Sequence, residues 1–75
     1  AITGSGKGAH GWFPLVEANV SYDHPTHANL EHSLIIDFMN EGMGPGARVA
    51  VELSPDSAQA LVRAILDAMQ KGEEP

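Results

Sequence analysis

Seventy-five residues make one domain with a single small core, and a core of that size supplies no more than about 3–5 kcal/mol of net stability without a staple. The chain has no cysteine, which excludes disulfides and thiolate zinc and leaves a non-thiolate metal or burial against another subunit as the stabilising device. Ten acidic against four basic residues give a net charge of −6, which repels phosphate backbones and anionic lipid and argues against nucleic acid and membrane partners.

Residues 1–11 carry the glycines of Gly4-Ser5-Gly6-Lys7-Gly8 and Gly11, too poor in apolar side chains for an ordinary strand or helix interior. They predict a flexible glycine-rich arm. A phosphate loop does not fit, because Ala1 stands where the first glycine is needed, Gly8 replaces the Ser or Thr after Lys7, and Ala-His-Gly-Trp-Phe-Pro cannot start a helix. Apolar runs stay short and no export or lipidation signal is visible, so the expected location is cytoplasmic.

A single domain is expected over 12–72. Trp12 and Phe13 read as a core plug, and Pro14 belongs at a strand start or on an edge. From there the residues alternate: Val16, Ala18, Val20 and Tyr22 share one strand face, and Leu15, Glu17, Asn19 and Ser21 the other. After a histidine-rich turn, His32, Leu34, Ile36 and Phe38 continue the apolar face, with Ser33, Ile35, Asp37 and Met39 opposite. Symmetry about His27 pairs Tyr22 with His32, Val20 with Leu34, Ala18 with Ile36 and Val16 with Phe38. Turn formers fill 40–46, and Val49, Val51 and Leu53 then make a third strand, pairing with Phe38, Ile36 and Leu34.

Ser54-Pro55-Asp56 supplies a capping hydroxyl, a ring that presets the first helical turn and a carboxylate at the positive dipole end. The helix should run to about Lys71 with Gly72 as its stop, leaving 73–75 as a frayed tail. Ala58, Leu61, Val62, Ile65, Leu66 and Met69 form its apolar stripe, expected to cover the sheet from end to end. The fold class is therefore α+β: a three-stranded antiparallel β-meander packed on one C-terminal helix (βββα), preceded by the arm.

Through Ile-Thr-Gly-Ser-Gly-Lys-Gly, Gly-Trp-Phe-Pro, Asn-Val-Ser-Tyr-Asp-His-Pro and Gly-Pro-Gly-Ala-Arg-Val-Ala-Val-Glu-Leu, nearly the whole chain resembles a family of small actinobacterial proteins of unknown function. The resemblance implies a cytoplasmic bacterial protein and no particular activity. It also implies a short segment before Ala1, often with a cysteine, that bears on any metal-ligand set.

The stretch 23–32 holds His24, His27 and His32 with Asp23 and Glu31 alongside. Imidazoles with a carboxylate suit a divalent transition metal such as zinc, copper, nickel or iron, although the spacing matches no zinc signature. The alternative is a polar turn, with His32 packed on Tyr22. A second candidate lies on the sheet face turned from the helix, where Glu17 is expected opposite Asp37 and diagonal to it Glu52, among Leu15, Ile35, Met39 and Ala50. Like charges set opposite one another cost up to about 1 kcal/mol, so this face reads as an interface for a partner bringing Arg or Lys, with a solvated sheet face as the alternative. No nucleophile, oxyanion donor or cofactor loop accompanies these residues, so no catalytic residue is assigned. The expected function is a small binding or accessory protein, a homo-oligomer or a subunit of a larger enzyme assembly. The alternative is a transition-metal-binding protein or a small metal-dependent enzyme with a site shared between subunits.

Overall fold

The computed structural model describes residues 1–24 and 32–73. Strands β3 (Glu17–Asp23), β4 (Ser33–Met39) and β5 (Arg48–Leu53) form an antiparallel sheet in that order, as the alternation predicts. The β4–β5 register has Leu34 opposite Leu53, Ile36 opposite Val51 and Phe38 opposite Val49, as expected, across the glycine-rich connection 40–47, which carries a 3-10 turn at Glu41–Met43. Between β3 and β4 the register is two residues away from the expected one: Tyr22 faces Leu34, Val20 faces Ile36 and Ala18 faces Phe38. An even shift keeps every apolar side chain on the same face, so alternation alone does not distinguish the two pairings.

The glycine-rich segment is not a free arm. Gly4–Gly8 forms β1, paired antiparallel with β2 (Gly11–Leu15) in a separate two-stranded sheet. Gly11, with φ of +111°, makes the turn that a side chain would strain. Val16 joins the two sheets: its amide donates to the Met39 carbonyl (3.2 Å) and its carbonyl accepts from the Ile2 amide (3.3 Å). The Asn40 side chain also donates to the Pro14 carbonyl at 3.0 Å. β1 lies against β5, and a Cβ on Gly8 would stand 3.0 Å from the Gly46 carbonyl oxygen and 3.1 Å from the Phe13 ring. Glycine is thus selected here by close approach and not by flexibility. Gly8→Ala is expected to destabilise the fold by about 1–3 kcal/mol in a urea titration, because a backbone carbonyl cannot swing aside as a side chain can.

Phe13 and Ala47 are buried together with Ala58, whereas Trp12, on the opposite face of β2, is exposed. Only half of the expected aromatic plug therefore enters the core. Helix α1 (Pro55–Glu73) begins as predicted: Ser54 Oγ accepts from the Ser57 amide at 3.2 Å and lies 2.9 Å from Ser57 Oγ. It continues through Gly72 instead of stopping there, and Gly72 does not take the left-handed capping conformation. A glycine inside a helix costs only about 1 kcal/mol, and Lys71 favours the negative end of the dipole.

Candidate functional site

The helix does not cover the sheet. Its first turn reaches it, burying Ala58, but the remainder of the stripe lies open, from Leu61 at 41% exposed to Leu66 at 61%. The connection into the helix is short. β5 ends at Leu53 and α1 begins at Pro55, so Ser54 alone joins them, whereas folding a helix back onto its own sheet takes about 2–6 residues of loop. The chain carries the helix away from the sheet, and two apolar surfaces remain uncovered.

One of these surfaces is the stripe Leu61, Val62, Ile65, Leu66 and Met69. The other is the side of the sheet nearest the edge strand β3, where Val16 is exposed, Val20 is 63% exposed and Tyr22 60%. Between them, the first turns of α1 and the β3–β4 strands enclose a notch of about 290 Å³ lined by Tyr22, Leu34, Pro55, Ala58, Gln59 and Val62. Of these, Pro55 is expected from the sequence at the helix start and Gln59 toward water, whereas Tyr22, Leu34, Ala58 and Val62 are expected to face an internal core. The one-residue junction was the signal that the helix could not reach it.

On the opposite face, Glu17, Ile35, Asp37, Met39 and Glu52 are half-buried and Ala50 is exposed, while Leu15, expected beside them, ends β2 in the other sheet, opposite Gly4. Glu17 stands opposite Met39, and Asn19 opposite Asp37, because of the register shift. The expected Glu17–Asp37 opposition is thereby relieved. Arg48 neutralises Asp37, with Nη2 at 2.6 Å and Nε at 2.9 Å from Oδ1. With Arg48 more than half exposed, the pair is worth no more than about 1 kcal/mol. Glu17 Oε2 is buried and has no hydrogen-bond partner among the described residues.

At the far end of the sheet the Tyr22 ring stacks on His32 at 5.7 Å, and His32 stacks on His24 at 4.7 Å. The Asp23 carboxylate accepts from the amide of the next residue, His24, at 2.7 Å. His27 and Glu31 lie outside the described residues. Among the described residues no group of three His, Asp or Glu side chains converges as a metal site. His10 packs over Gly46, at the end of the sheet away from this loop, in a cleft of about 370 Å³ shared with Trp12, Phe13 and Met43. It does not approach His24 or His32, since β4, seven residues or about 23 Å long, separates the two ends.

The whole chain, residues 1–75, matches the model of a family of unknown function, DUF6295. The chain belongs to this family. No curated protein and no solved structure matches it. The DUF6295 match takes in the β1–β2 hairpin, the sheet and the projecting helix alike, and it attaches no activity to any residue. Among the described residues, no helix is long and apolar enough to cross a membrane.

Proposed function

We propose that this DUF6295 chain is a small cytoplasmic binding or accessory protein that works by association, as a homo-oligomer or as a subunit of a larger assembly. The uncovered helix stripe and β3 face carry this reading. Burying apolar surface stabilises by about 25 cal/mol per Å², and a chain with so small a core gains by covering both surfaces. Light scattering at low micromolar concentration should give more than one subunit mass. A clean monomer with no co-purifying partner overturns the proposal.

A second reading, a divalent transition metal at the histidine loop, is supported by one observation: His24 and His32 are neighbours beside Asp23. The rings meet face to face, so one must turn before both in-plane nitrogens can reach one ion. Elemental analysis of untagged protein, set against the His24, His27 and His32 triple alanine variant, tests it. More zinc, copper, nickel or iron in the wild type supports a metal site, and equal content in both removes it.

A further inference from the structure

Taking as its basis the reading that the chain self-associates, we propose a specific interface: a two-fold dimer in which helix α1 of each copy lies across the β3 side of the other copy's sheet. The occupant of the uncovered surface is then a second copy of this chain.

Size supports the assignment. A chain of 75 residues closed on its own core has a radius of gyration of about 11 Å, whereas this one has 14.1 Å. A compact monomer of 7.9 kDa exposes about 4,400 Å², and this chain exposes 5745 Å². The excess, about 1,300 Å² per copy, amounts to about 2,600 Å² for a pair, inside the range of about 2,000–5,000 Å² typical of obligate homodimers.

Self-complementarity selects the partner. A foreign protein must bring a sheet face for the helix and a helix for the sheet. A second copy brings both, and a two-fold axis satisfies the two contacts at once. The lengths agree as well: the helix from Ala58 to Met69 rises about 17 Å, and β3 from Glu17 to Asp23 extends about 20 Å.

The test uses two variants of the whole chain. Val20→Glu places a charge on the sheet face, and Leu66→Lys places the opposite charge on the helix stripe. Each alone should halve the mass seen by light scattering and weaken association at least a hundredfold. An equimolar mixture should return to the dimer mass, because a heterodimer has one unmodified helix-on-sheet contact and one with Lys facing Glu. Circular dichroism follows helicity in parallel, and a variant that loses structure when separated must regain it on mixing. If wild type is a dimer and Val20→Glu stays one, the helix-on-sheet exchange is overturned while self-association stands. A mixture that stays dissociated also overturns the exchange. Wild-type protein at monomer mass overturns the exchange and self-association together, and leaves only a subunit of a larger assembly.

Discussion

Each tenfold dilution of the protein should lower its melting temperature by about 4 °C. The shift follows from mass action: unfolding a dimer releases two chains, so tenfold dilution costs the folded state about 1.4 kcal/mol. Two chains of 75 residues unfold with an entropy of about 0.3 kcal/mol/K, and the ratio of the two quantities gives the shift. Scanning calorimetry or fluorescence-monitored melting from about 1 to about 100 µM would therefore span about 9 °C. A melting temperature independent of concentration means that the monomer folds alone, with its apolar stripe facing water. Added salt should raise the melting temperature, since two copies at −6 each repel one another and screening shortens that repulsion to about 8 Å at physiological ionic strength.

The parts of this fold legible in the sequence are those fixed by local chemistry. Val49, Val51 and Leu53 alternate, Ser54 caps, and turn formers fill the β4–β5 connection, so these elements fall where the pattern places them. Alternation is blind to a two-residue slip, which is why Tyr22 pairs with Leu34 and not with His32, even though the predicted stacking of His32 on Tyr22 is present. The β1–β2 hairpin was hidden because glycines leave no hydrophobic pattern. Its trace was their period: Gly4, Gly6 and Gly8 recur at every second residue, keeping one face of β1 bare where Leu15 and Gly46 approach it. An apolar helical stripe, in turn, says that a face is to be buried but not in which molecule. The stripe from Leu61 to Met69 predicts a cover for its own sheet, yet it stands exposed beyond a one-residue connection, a property of the backbone that hydrophobic periodicity does not register.

Under the proposed exchange, lengthening that connection should turn the dimer into a monomer. Inserting Gly-Ser-Gly between Leu53 and Ser54 keeps the Ser54 cap, the Pro55 start and every residue of the stripe, and it brings the junction into the range of about 2–6 residues in which a helix can reverse over its own sheet. Once the helix can reach, its own sheet is present at an effective concentration on the order of millimolar, against micromolar for a second copy. The intramolecular contact then displaces the exchanged one, as lengthened hinges do in swapped dimers. Light scattering should show half the wild-type mass, with unchanged helicity by circular dichroism and a melting temperature that no longer depends on dilution. If the lengthened chain remains a dimer with the wild-type concentration dependence, the short junction is not what holds helix and sheet apart. Retention of the dimer would then place the controlling contact in the first turn of α1, where Ala58 and Pro55 meet Tyr22 and Leu34 around the notch.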